Sequence, residues 1–260
     1  MSKLIEIEHL TVGYENKPNV LNDVSLTIYE DDFLGVIGPN GGGKTTLLKS
    51  ILGLLKPESG NINFYDNGTK VQSFNIGYLP QINMIDKKFP ISVSDVILLG
   101  LTSEKKLFRR YSGKDKKRVR EVAERLGIED LLSRAIGELS GGQLQRVLLG
   151  RAIIDNPKLI ILDEPSTYVD KLFETNFYKL LDDINRDIAI MLVSHDVGTI
   201  FSLVKNIACV NQRLHYHSGS DISQEWLNTA YQSCPIEIIG HGSFPHRVLM
   251  KHDHIKHAPN

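Results

Sequence analysis

Apolar positions along this chain change period several times, and each change marks an element. Over residues 4–10 and 25–29 they alternate with polar ones, as in a strand with one wet face. These segments bracket a turn-rich stretch, 13–19, and predict an antiparallel element. Residues 33–37 are continuously apolar, the pattern of a strand buried on both faces, and 46–52 reads as a helix. Residues 55–60 hold a helix stop and a turn, with further strands predicted at 61–64 and 76–79. From about Ser92 to Ala135 the strand signal vanishes. Val93, Val96 and Ile97, then Val119, Val122 and Leu126, recur at helical spacing. Strand patterns return at 159–162, 188–193 and 206–210, alternating with helical stretches at 171–185 and 197–204. Strands alternating with helices predict a parallel sheet with right-handed crossovers, here carrying a helical insertion. Beyond His217 the chain is polar and loses clear periodicity.

The junction between the strand at 33–37 and the helix at 46–52 carries the most specific chemistry. Gly38, Pro39, Asn40, Gly41, Gly42, Gly43, Lys44 and Thr45 fit G-x-x-x-x-G-K-[ST], a phosphate-binding loop in its required strand–loop–helix context. Glycines let backbone N–H groups turn toward a phosphate chain, and the helix N-terminus adds partial positive charge. Lys44 can reach the β- and γ-phosphates, and the Thr45 hydroxyl can ligate Mg²⁺.

The strand at 159–162 runs into Asp163 and Glu164. That places two carboxylates at the carboxyl edge of a parallel sheet, where open α/β sheets bind ligands. Asp163 is suited to hold Mg²⁺, and Glu164 to polarise a water for in-line attack on a γ-phosphate. A second glycine turn, Leu139-Ser140-Gly141-Gly142-Gln143, precedes a helix-like run at 144–154. Ser140 is a natural N-cap and the glycines expose N–H groups. Taken alone, this turn reads as an ordinary capped helix start.

Bulk properties narrow the setting. The 260 residues suffice for a sizeable core, and 41% hydrophobic with 23% charged residues is ordinary for a globular protein. A net charge of −1 argues against nucleic-acid binding through bulk charge, so the Lys- and Arg-rich stretch at 105–120 reads as a solvated helical face. No apolar run approaches about 18 residues, so no membrane span is predicted. The first eight residues alternate and carry acids, unlike a signal peptide. Cys209 and Cys234 lack CxxC spacing and read as reduced thiols, which favours the cytosol.

Taken in order, the phosphate loop 38–45, Gln81, LSGGQ at 139–143, LIILDEP at 159–165, Asp170 and His195 resemble the ATP-binding-cassette ATPases over about residues 4–217. The resemblance implies an α/β fold: a RecA-like phosphate-loop ATPase core with a small antiparallel β element and an inserted helical subdomain, about 82–155. It also implies two such chains facing head to tail as a homodimer. Each ATP, with Mg²⁺, would sit between one chain's loop and the other's Ser140, Gly141, Gly142 and Gln143. Tyr14 occupies the aromatic position expected to stack on adenine, although a strand-edge tyrosine would look the same. Thr46 follows Thr45 at the start of the nucleotide-binding helix. Gln81 matches the glutamine that senses Mg²⁺ and γ-phosphate. Asp170 matches the aspartate linking the two sites, and His195 the histidine holding the γ-phosphate and the water. Lys44, Gln81, Glu164 and His195 form the expected catalytic set, with Thr45, Gln81 and Asp163 around the metal. Two departures stand out. Gly42-Gly43 replaces the commoner Ser-Gly, and 166–170 lacks the usual small residue and leucine before the aspartate.

The tail, 218–260, points to cargo. Seven of nine histidines fall at 215, 217, 241, 246, 252, 254 and 257. His215 and His217 share a strand face, and His252, His254 and His257 have spacing compatible with Zn²⁺; a surface tail binding nothing gives the same composition. Residues 211–217 and 241–249 resemble the ATPase subunit of zinc and manganese uptake transporters. The implied protein is peripheral, at the cytoplasmic face of the cell membrane. It would dock on a separate membrane permease served by an extracytoplasmic metal-binding protein and drive uptake, with zinc ahead of manganese or iron(II). A soluble cassette ATPase of iron–sulfur assembly type is the alternative.

Overall fold

A computed structural model describes residues 2–81, 86, 88–104, 111–165, 171–194, 203–219, 236–241 and 244–249. The chain begins with a long hairpin, β1 (Lys3–Tyr14) and β2 (Lys17–Tyr29). Both strands run past the segments their alternation predicts, and the turn between them is short. The cause lies in bulges. The β1–β2 register shifts between Ile7 and Leu10, and His9 and Asp23 take left-handed backbone, φ 50° and 55°. Two exposed residues, Glu8 and His9, then stand in succession, and the period-two pattern breaks although the strand continues. β1 also pairs with β4 (Ser59–Asp66), and β4 with β5 (Thr69–Val71), in an antiparallel sheet ordered β2-β1-β4-β5. The short β5, absent from the sequence reading, follows an Asn67-Gly68 turn with φ 49° and 77°, the preferred two-residue hairpin chemistry.

The second sheet has six strands in the order β10-β9-β3-β8-β7-β6. β3 (Phe33–Ile37), β6 (Ile76–Leu79), β7 (Leu159–Asp163), β8 (Ala189–Val193) and β9 (Asn206–Asn211) are parallel; β10 (Arg213–Ser218) returns antiparallel to β9. Every residue of β3, β7 and β8 is buried, which explains their unbroken apolar runs. Alternate residues feed two cores. Leu34, Val36, Ile161, Met191 and Val193 pack with α1 (Lys44–Ile51) and the hairpin sheet. Ile37, Ile160, Leu162, Ile190 and Leu192 pack with the helices on the other face. Truncating Leu162, which is fully buried, to alanine would cost about 2–5 kcal/mol.

The helical insertion comprises α2 (Val93–Leu98), α3 (Gly113–Leu126) and α4 (Gly141–Ile153), joined by short 3-10 turns. Ser112 and Asp115 form a capping box that starts α3, and Gly127, at φ 63°, ends it. α5 (Lys171–Ile184) lies between β7 and β8. The helix expected at 197–204 falls mostly outside the described residues. Near the C-terminus, β11 (Ile236–His241) and β12 (Phe244–Leu249) form an antiparallel pair where the sequence offered no period. Among the described residues, no helix is long and apolar enough to cross a membrane.

Candidate functional site

The loop after β3 delivers the chain into α1 with its helix start exposed to chemistry. The N-cap, Gly43, has φ 108°; among the described residues no side chain caps α1, and none of its first-turn residues is acidic. The positive end of the helix dipole is therefore left for a ligand. Lys44 is buried and folds back across its own loop, donating to the carbonyls of Gly38 at 2.9 Å and Pro39 at 3.0 Å. A phosphate entering the loop would compete with these carbonyls for the ammonium.

Two glycines are required by close approach as well as by dihedral. A Cβ on Gly38 (φ 146°) would sit 2.1 Å from the Val210 carbonyl oxygen, and one on Gly43 2.4 Å from Leu21 Cδ2. The loop is braced from behind by the β9–β10 turn. Gln212 N–H donates to Gly42 O at 2.9 Å, and Asn22 N–H donates to Gln212 O at 2.7 Å. Around Gly41 a side chain would meet open space.

Thr45 is exposed in the first turn of α1, and Thr46 is buried beside it. The Thr46 hydroxyl lies 3.5 Å from Tyr14 Oη, and Lys49 Nζ sits 5.7 Å from the Tyr14 ring centroid. Tyr14, at the end of β1, is thus a half-exposed ring beside α1.

Two carboxylates close the other side. Asp163 ends β7 and is buried, which lifts its carboxyl above the ordinary range. The Tyr78 phenol, 3.3 Å from Oδ2, and the Lys44 and Lys49 ammonium groups pull it back down. Burial beside this carboxylate pushes the Tyr78 hydroxyl up to about 12. Glu164 follows in left-handed backbone, φ 48°, with its N–H donating to Val193 O at 2.9 Å. Such a conformation costs a non-glycine residue of order 1 kcal/mol and aims its side chain off the strand. Gln81 Nε2 donates to Glu164 Oε2 at 2.8 Å, joining residues that the sequence separates by the whole helical insertion. Thr45, Asp163 and Gln81 offer oxygen donors only, which suits a hard cation such as Mg²⁺.

The 139–143 turn builds a different helix start. Ser140 Oγ accepts from Gln143 N–H at 3.2 Å, and Gln143 Oε1 accepts from Ser140 N–H at 3.0 Å, a complete capping box. Gly141 and Gly142 form the first helical positions of α4. Asp170 and His195 lie outside the described residues, as do His252, His254 and His257. Of the two histidines just before the tail, His215 is exposed on β10, and His217 Nδ1 lies 3.2 Å from Gly219 O. Among the described residues no group of three or more metal-ligating side chains forms. The sequence reading missed Tyr78, an aromatic inside a strand with nothing local to distinguish it, and the brace at 210–212, which acts through main-chain atoms.

Residues 21–167 match the family description of ABC transporters. The zinc uptake system ATP-binding protein of Listeria monocytogenes is 37% identical over 234 residues, spanning 87% of this chain and 90% of that protein. The manganese transport system ATP-binding protein of Bacillus subtilis is 39% identical over 196 residues, spanning 75% and 78%. Among solved structures, a chain from an ABC transporter described as metal-chelate type, in an inward-facing conformation, superposes with a TM-score of 0.81 at 25% identity, covering 95% of this chain and 97% of that one. The loop, the carboxylate edge and the helical insertion thus find one explanation: the chain belongs to the ABC transporter family, as an ATP-binding subunit that hydrolyses ATP.

Proposed function

We propose that this chain powers the uptake of a divalent metal ion, zinc first, through a separate membrane permease. The observation that carries the energetic half is the convergence of Lys44, Asp163, Glu164 and Gln81 on one edge of the parallel sheet. Lys44 leaves the loop carbonyls for the β- and γ-phosphates. Thr45 and Asp163 hold Mg²⁺, with Gln81 beside them; when bound, the ion neutralises charge on the phosphates. Glu164, fixed by Gln81, takes a proton as water attacks the γ-phosphorus; the bond to the β–γ bridging oxygen breaks, ADP leaves with that oxygen, and His195 steadies the phosphoryl group. Tyr14 stacks on adenine. Ser140, Gly141, Gly142 and Gln143 complete the site of a second copy, with Asp170 at the seam, so hydrolysis belongs to a homodimer. The dimer works at the cytoplasmic face of the membrane, and an extracytoplasmic protein feeds the permease. In this reading residues 1–217 form the ATPase domain and 218–260 a histidine-rich tail.

The Listeria relative supports zinc as cargo, and the Bacillus relative supports manganese as the second reading. Accumulation of zinc, manganese and iron in cells lacking the chain, ion by ion, tests the choice. Zinc alone should fall and be restored by the chain but not by Glu164→Gln. A selective loss of manganese would replace zinc in the proposal.

A further inference from the structure

Asp163 reaches the nucleotide site from the end of β7, and a side chain on the neighbouring strand holds it. In the parallel β6–β7 pair Tyr78 stands opposite Ile161, two residues before Asp163. All three therefore project from the same sheet face, the face that packs on α1. The tyrosine ring is long enough to span this diagonal, and its hydroxyl meets Asp163 Oδ2 at 3.3 Å. The ring packs against the apolar cluster under α1, and Arg151 Nη2 donates to the Tyr78 main-chain carbonyl at 3.2 Å. Ring and backbone are thus both fixed. Gln81, three residues along the chain, is hydrogen-bonded to Glu164. The β6 edge therefore supports both neighbouring carboxylates, one through a phenol and one through an amide.

We propose that Tyr78 is a positioning residue for Asp163: its hydroxyl holds the carboxylate in one orientation and thereby sets the divalent-cation affinity of the nucleotide site. The inference rests on the reading of Asp163 as the magnesium carboxylate. Groups that orient a metal-binding side chain commonly change metal affinity by about 10–100-fold. At 3.3 Å the contact is long for a hydroxyl–carboxylate bond, so the lower end applies.

The test titrates a fluorescent ATP analogue against the full chain, with Mg²⁺ varied and with EDTA, comparing Tyr78→Phe with the parent. Tyr78→Phe keeps the ring and removes only the hydroxyl. The Mg²⁺ concentration for half-maximal nucleotide binding should rise about tenfold, while affinity in EDTA stays within about twofold. In ATPase assays half-saturating Mg²⁺ should rise with little change in rate at saturating Mg²⁺. Tyr78→Met, which also lacks the hydroxyl but retains apolar bulk, should behave alike and serves if the Phe variant fails to fold. An unchanged Mg²⁺ midpoint in the folded variant overturns the proposal, and so does an equal loss of affinity with and without Mg²⁺. A parent chain whose nucleotide binding ignores Mg²⁺ defeats the reading of Asp163 itself, an outcome distinct from either.

Discussion

Two helices of this molecule begin after a glycine-rich turn, and they treat their free N–H groups in opposite ways. α1 starts at Gly43, which brings no capping side chain, and its first residue is the folded-back Lys44. α4 starts at Ser140, whose hydroxyl and main chain are both engaged by Gln143. Both carry the same dipole. One end is prepared to be completed by an incoming anion, whereas the other is already satisfied in the single chain. Glycine at a helix start therefore does not define a ligand site; what occupies the cap does. Under the proposed function, the first turn would bind nucleotide in every copy, and the second would engage only when a neighbour's nucleotide displaces part of its self-made cap.

The largest expected effect separates binding from turnover. Glu164→Gln should lower steady-state phosphate release by about 100-fold or more while leaving ATP affinity near the parent's; normal turnover would remove Glu164 from the base role. Lys44→Ala attacks the α1 end directly. Losing a charge-assisted contact should raise the nucleotide dissociation constant about 10–100-fold, whereas Ser140→Ala should leave it within about twofold. Equal losses from both substitutions would erase the contrast. Gly43→Ala forces a side chain into left-handed backbone and against Leu21, at a cost of about 1–3 kcal/mol; urea unfolding measures it. Ser140→Ala, removing the cap of α4, should cost about 1 kcal/mol in the same assay, and a change near zero would show that the capping box does not hold in solution.

The smallest effect concerns Asp163. Its carboxyl is raised by burial, so the native chain binds that proton more tightly than the unfolded chain does. Stability from this group therefore increases as pH falls through the raised value toward the ordinary one, and the ionised form costs stability above it. Asp163→Asn should accordingly raise the melting temperature of the nucleotide-free chain by a few degrees near neutral pH and weaken Mg²⁺-dependent nucleotide binding. A lower melting temperature would mean that the Tyr78 and lysine contacts outweigh desolvation.

Much of the fold was legible because strong periodicity and buried position coincide. β3 and β6 begin and end where their apolar runs do, and the loss of strand signal after Ser92 marks the helical insertion. The hairpin was shortened in the reading because the bulge at His9 breaks alternation without ending the strand. β5 escaped notice since three residues carry no period, although Asn67-Gly68 announced the turn. The phosphate loop and carboxylate edge were readable as local motifs. The Gln81–Glu164 bond was not, because it depends on pairing across residues far apart in sequence. The Tyr78 contact was hidden for the same reason, requiring the register of β6 against β7.

The carbonyl of Val210 fills the space that side chains on Gly38 and Gly42 would need. The glycine loop is thus shaped by a peptide oxygen on the next strand, which only residues lacking a Cβ can approach. Replacing Val210 by another apolar side chain of similar size leaves the carbonyl in place, because Val210 is buried in the core under α1, whereas inserting or deleting one residue within β9 slides it by about 3.3 Å. Two separate constraints therefore meet at 210: its side chain answers to the apolar core it fills, and its carbonyl to the count of residues leading up to it.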